Sequence, residues 1–243
     1  MKIVGVDASP HSTGLVKFTL DSNLDILEIE RLGFFEYSVP KKKKDWEVPT
    51  FKNIVSYDSD KYDFYNRTIM MMEHIWPFIA DCEYVCEEAY SLYGSGLLDQ
   101  IFDFSSQIKF QAIRNGSKLR LIEPLTLKMF ATNSGKAQKP EMFDAFVSNS
   151  NSHMLDLSDL PQIKVHGKGQ FAGLRNKDGI SPLSDIIDAF WLGMLLIEEL
   201  RIRKGTKQLS DLAPHHSHIL SRKTKANPIP IYKKDFIKKF VLV

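Results

Sequence analysis

Four carboxylates occupy places that a soluble chain normally keeps apolar. Asp7 closes the run Ile3-Val4-Gly5-Val6, Glu87 closes Tyr84-Val85-Cys86, and Asp185 and Asp188 open the most hydrophobic stretch of the sequence. One buried, ionised carboxylate without a partner is costly, and several together repel one another. A divalent cation makes such a group tolerable, because carboxylate oxygens suit Mg²⁺ and a bound ion can activate water or stabilise a leaving oxygen. If the four acids meet in space, the chemistry they point to is metal-dependent hydrolysis.

Each acid also has an ordinary explanation. Asp185 and Asp188 are three residues apart and share a helix face. The dipole of a helix N-terminus accounts for Asp185, but less well for Asp188, which lies a turn deeper between Ile187 and Ala189. Asp7 precedes Ala-Ser-Pro-His-Ser-Thr-Gly, which reads as a hairpin turn. In Glu87-Glu88, strand alternation puts Val85 and Glu87 on one face and Tyr84, Cys86 and Glu88 on the other. With Val85 taken as core-facing, Glu87 is preferred over Glu88.

The elements that must position these acids are legible from periodicity and turn signals. Segments 2–7, 13–20 and 26–35 read as strands with short loops, an antiparallel meander. Residues 38–62, with four lysines at 41–44, read as an insertion loop. A helix is expected over 65–79, lined by Ile69, Met72, Ile75 or Trp76, and Ile79, and kinked or ended by Pro77. A strand over 83–87 and a helix over 95–115 follow, the helix presenting Leu98, Ile101, Phe102, Phe104 and Ile108. Then come a strand over 119–123, a short helix over 139–147 and a long loop over 148–180. Ser181-Pro182 reads as a helix start, and the helix runs to about 203. The expected class is α/β: a mixed five-stranded sheet, three antiparallel strands then parallel ones, flanked by helices.

With 243 residues, 43% hydrophobic and 26% charged, the chain suits one domain over 1–203 with a basic tail over 204–243. The net charge of +2 hides an asymmetry. From Arg201 onward there are eleven Lys and Arg against two acids, so residues 1–200 carry −7. An acidic body with a basic flank suits metal ligands in the body and a gripped polyanion, although a merely solubilising tail has the same charge. Cys82 and Cys86 read as buried structural thiols, which fits a reducing, cytoplasmic setting. His215, His216 and His218 could ligate a metal, but their polar surroundings favour no such role. No apolar run approaches 18 residues.

Taken in order, these motifs resemble the RuvC-type Holliday junction resolvases of the RNase H-like nuclease superfamily. Asp7 followed by Thr13-Gly14 is similar to their opening, the Glu87 strand to their second acidic motif, and Asp185-Ile-Ile-Asp188-Ala189 to their closing one. Between them, Lys128 and Lys139 keep the family's eleven-residue spacing around Gly135 and Ala137. Ser9 and Asn133 stand where the family carries glycine. With the added segments, these departures make the chain resemble divergent, virus-type members.

The resemblance implies an RNase H-like fold and an endonuclease that cuts four-way DNA junctions by paired symmetric nicks. It implies two Mg²⁺ ions about 4 Å apart, replaceable by Mn²⁺, with Asp7, Glu87, Asp185 and Asp188 as ligands. It implies Lys139 near the scissile phosphate, Lys128 and Lys136 on DNA, and Tyr90, or else Tyr93, stacking on a base. A homodimer would supply two sites, with the 95–115 helix as its natural element. Competing readings are a related nuclease for flapped or otherwise branched DNA, an actin-like or sugar-kinase-type ATPase, and a non-catalytic DNA-binding module.

Overall fold

The computed structural model describes residues 1–37, 50–89, 98–160, 182–224 and 227–239, and the backbone of four two-residue strands between 163 and 180. Strands β1 (Lys2–Asp7), β2 (Gly14–Leu20) and β3 (Ile26–Tyr37) form the expected antiparallel meander. β4 (Ile54–Asp58) follows, then α1 (Phe64–Ile79), β5 (Tyr84–Glu88), α2 (Leu98–Arg114) and β6 (Lys118–Ile122). Next come α3 (Pro124–Thr132), α4 (Lys139–Ser148), the short strands β7 (Ile163–Lys164), β8 (Gln170–Phe171), β9 (Arg175–Asn176) and β10 (Gly179–Ile180), then α5 (Leu183–Lys204) and α6 (Pro214–Ser221).

The order across the sheet is β6-β5-β1-β2-β3, with β5 parallel to both β1 and β6. This is the mixed sheet expected, but larger. β3 is 12 residues long; it pairs with β2 as far as Gly33, and its far half pairs with β4 in parallel and with β10 in antiparallel. Six strands of five or more residues, rather than five strands, therefore form the main sheet among the described residues, and the two-residue β10 and β9 extend it to eight. The sixth lies in 38–62, which was expected to be loop throughout. The 148–180 segment likewise holds a 3-10 turn and β7–β10 rather than loop alone. Two- to five-residue strands cut from polar sequence carry too short a period to be read.

Helices cover both faces, and each strand's alternation feeds two cores. Val4, Val6, Leu15 and Val85 pack with Met71, Ile75 and Ile79 of α1 and Phe104 and Ile108 of α2. Ile3, Val16, Phe18 and Cys86 pack with α5, which in turn is covered by α3, α4 and α6. The central helix α5 is buried almost throughout Leu183–Leu200, as an all-round apolar helix must be.

On α1 the inward face is Arg67, Met71, Ile75 and Ile79, a one-turn repeat; Ile69, expected inside, is exposed, and Pro77 is accommodated within the helix. On α2 the inward residues are Phe104, Ser105, Ile108 and Ala112, while Phe102 faces out. Cys82 and Cys86 are buried free thiols, one in each core. The basic tail is packed: Ile237 bridges to Leu119 on the outer edge of β6.

Candidate active site

Two helix-sheet contacts set the frame. A side chain on Gly5 would place its Cβ 1.9 Å from the Ala189 carbonyl oxygen, and one on Gly14 would sit 2.2 Å from the Asp185 carbonyl carbon. Glycine at both positions therefore lets the α5 backbone rest directly on β1 and β2. Gly14 pairs with Asp7 in the β1–β2 ladder, so this approach brings the start of α5 to the end of β1.

Asp7 lies on the same face as Ile3 and Gly5, the α5 face. The β1–β5 register runs Gly5 to Cys86 and Val6 to Glu87, so the next step sets Glu88 beside Asp7. Asp185 and Asp188, in the first turns of α5, lie on this side too. The four carboxylates act on one another. Burial, then Glu88, Asp185 and Asp188, hold the Asp7 carboxyl well above the usual range. Burial and Asp188 push Glu88 up to about 8, and burial and Asp185 push Asp188 up to about 7. Burial raises Asp185 to about 6, against the opposing effects of Lys139, Ser12 and Ser184.

Glu87 does not join them. It points into the other core, where Ser105 donates to its Oε1 and Lys109 Nζ lies 3.5 Å from the same atom. Its carboxyl is fully buried and raised to about 7 by that burial, and its Oε2 has no hydrogen-bond partner among the described residues. The structure thus sets Glu88, and not the expected Glu87, on the face of the other acids. Alternation placed Glu87 with Val85 correctly, but the inference assumed a single core. The sheet has one on each face, and the acids gather on the face of Cys86, not of Val85. Asp7, Glu88 and Asp188 keep partial exposure, whereas Glu87 has none.

The turn after β1 is tied to the site. Thr13 Oγ1 donates to the Ser9 carbonyl at 2.6 Å and accepts from the Ser9 amide at 3.2 Å, and Ser12 donates to Asp185 Oδ2. Ser9 thus supplies backbone groups to a closed turn. At the other departure from the family pattern, Asn133 caps α3 at φ +60°, a left-handed conformation that asparagine tolerates better than most residues.

Both spaced lysines reach the acids. Lys139 begins α4, and its Nζ donates to Ser184 Oγ at 2.7 Å, which lies 3.3 Å from Asp185 Oδ1. Its charge offsets those of Asp7, Asp185 and Asp188. Lys128, on α3, acts in the same sense on Glu88 and Asp188. Lys136 is exposed in the turn between those helices. Tyr90 and Tyr93 lie outside the described residues. The α3 helix was not anticipated, although Pro124 at its first position was a signal for it.

As placed, no three His, Cys, Asp or Glu side chains among the described residues converge as a ligand group. The donor chemistry nonetheless fits a hard cation. Asp7, Glu88, Asp185 and Asp188 are each held above their ordinary range by burial, and three of them also by neighbouring acids, so positive charge there would be favoured. No helix among the described residues is long and apolar enough to cross a membrane.

No family model and no curated protein matches the chain. Among solved structures it is similar to RuvC of Thermus thermophilus, at 15% identity, over 85% of this chain and 98% of that one, with a TM-score of 0.47. It is also similar to the fowlpox virus resolvase solved with substrate Holliday junction DNA, at 18% identity, over 82% and 99% of the two chains, with a TM-score of 0.45. The architecture of the chain is a mixed parallel and antiparallel sheet flanked by helices.

Proposed function

We propose that this chain is a metal-dependent endonuclease that cuts four-way DNA junctions by paired symmetric nicks. What supports the reading is that β1, β5 and the start of α5 bring Asp7, Glu88, Asp185 and Asp188 to one end of the sheet, near enough for their charges and those of Lys128 and Lys139 to act on one another. The four-way junction as substrate is taken from the motif resemblance.

Asp7, Glu88, Asp185 and Asp188 would hold two Mg²⁺ ions, or Mn²⁺ in their place. When bound, such ions supply an activated water and stabilise the leaving 3′ oxygen. The protein's own groups do the rest. Ser12 and Ser184 hold the Asp185 carboxylate by hydrogen bonds. Lys139, steadied by Ser184, places positive charge where a phosphoryl oxygen gains negative charge. Lys128, whose charge acts on Glu88 and Asp188, would bind phosphate, as would the exposed Lys136.

Two symmetric cuts need two sites, which a two-fold dimer supplies. Phe102 and Phe110 of α2 and Ile69 and Tyr65 of the adjacent α1 are each more than half exposed, an apolar surface suited to burial against a second copy. The experiment that tests the activity is incubation with Mg²⁺ and labelled four-way junction, flap, linear duplex and RNA–DNA hybrid. Paired nicks restricted to the junction support the reading. Cleavage confined to flaps would move the substrate, and no cleavage of any branched DNA would reject it.

A further inference from the structure

The tail beyond α5 is held by an unusual anchor. Glu199 of α5 is fully buried and paired with two arginines: Arg120 of β6, whose Nε lies 2.9 Å from Glu199 Oε2, and Arg203, whose Nε lies 2.8 Å from Oε1. Both guanidinium groups continue into the tail and donate to its backbone. Arg120 reaches the Lys234 and Asp235 carbonyls at 2.7 and 3.2 Å, and Arg203 the Ile231 carbonyl at 3.1 Å. Phe236 lies beneath both, with ring centroid 4.2 Å from Arg120 and 4.7 Å from Arg203. Leu119 and Ile237 exchange backbone hydrogen bonds at 2.8 and 3.0 Å, which closes the outer edge of β6.

This anchor uses the tail's carbonyls and Phe236, so its charged side chains are turned outward. Among the described residues of 222–239, six Lys and Arg are exposed against one acid, Asp235. Arg222 and Lys234 line one cleft with Thr126 at the start of α3 and with Thr224 and Asn227. Two residues on from Thr126, in the middle of α3, Lys128 acts electrostatically on Glu88 and Asp188. A basic strip fixed in one register along the outer sheet edge has the chemistry of a phosphate-backbone track.

We infer that segment 222–239 binds the phosphate backbone of a duplex DNA arm as that DNA enters the site. This rests on the nuclease reading and specifies where an arm lies. The test is fluorescence anisotropy with the full chain in EDTA, on a four-way junction and a linear duplex, across a salt series. K233Q/K234Q/K238Q/K239Q should weaken binding roughly tenfold or more near 0.1 M salt. It should also make the plot of log K against log salt shallower by about 3.6, near 0.9 for each of the four lost phosphate contacts. The matching Lys→Arg variant should bind as the parent does, and the paired variants K233Q/K234Q and K238Q/K239Q should each show part of the loss.

Unchanged affinity and slope would overturn the inference, as would an equal loss in the Lys→Arg variant or tail-dependent binding to duplex RNA but not to DNA. The two readings fail separately. A parent protein that cuts no DNA but loses DNA affinity with its tail lysines rejects the nuclease and keeps the track. Junction cleavage by a parent whose affinity ignores those lysines does the reverse.

Discussion

Glu88 stands beside Asp7 across the β1–β5 pair, while Glu87, one residue earlier, crosses to the opposite core and meets Ser105 and Lys109. The two neighbours therefore have separable roles. Glu88→Gln is expected to lower junction cleavage by a factor on the order of 10² or more, as loss of a group at the reacting centre does. Glu87→Gln should stay within a few-fold of the parent. Single-turnover cleavage with Mg²⁺ decides it, and the opposite ranking would return Glu87 to the site.

The raised carboxyls give a pH dependence with a definite sign. Their folded-state values lie above their ordinary values of 3.8 and 4.5, reaching about 6, 7 and 8 for Asp185, Asp188 and Glu88. The folded metal-free protein thus holds more protons than the unfolded chain over this interval, so stability is fullest near pH 4 and falls as pH rises toward 8. Mg²⁺ or Mn²⁺ should raise the melting temperature more at pH 8 than at pH 5, because protons compete for the same oxygens. Asp188→Asn should raise the metal-free melting temperature at pH 8. Thermal melts with and without metal at both pH values test this, and a metal effect larger at pH 5 would contradict it.

Lys139 offsets three of the four acids. Lys139→Met should slow the single-turnover rate by roughly 10²-fold. It should also move the acid limb of the pH–rate profile to higher pH, because the acids lose a charge that lowered their pKa values. Lys136→Ala, altering an exposed lysine in a turn, should weaken binding without moving that limb. An unshifted limb in the Met variant would remove Lys139 from the electrostatics of the site.

The exposed α1–α2 surface makes the dimer testable. Phe102→Asp together with Phe110→Asp should convert the protein to monomer in sedimentation experiments, with little change in thermal stability because both rings are on the outside of their helix. On a cruciform substrate, linked nicks should then give way to single ones. A dimer that survives both substitutions would place the interface elsewhere.

Much of the candidate site was readable because its acids break the rules of their surroundings: an acid after four apolar residues, an acid inside an apolar helix. The two lysines were legible only through the motif resemblance. The meander strands and α5 were readable for a different reason, since long regular periods are hard to mistake. What was not readable is what needs a second layer to be seen. Glu87 and Glu88 differ only in which core each strand face meets, and β5 alone says nothing about a core on both sides. β4 is five residues in a polar stretch, stable because β3 is long enough to host it. The tail is basic in sequence, but its order comes from Glu199 on a distant helix, whose burial makes sense only once Arg120 and Arg203 are beside it.

At Gly5 and Gly14 main chain meets main chain, with no side chain between helix and sheet. A gap filled by side chains can be widened or narrowed by each conservative exchange in a core. This one has nothing to exchange. The spacing between the Asp7 half and the Asp185 half is thus insulated from drift in the rest of the interior, and repacking elsewhere can proceed while the acids keep their separation. Gly14→Ala, by contrast, would act like a wedge, forcing the two halves apart without touching a single acid.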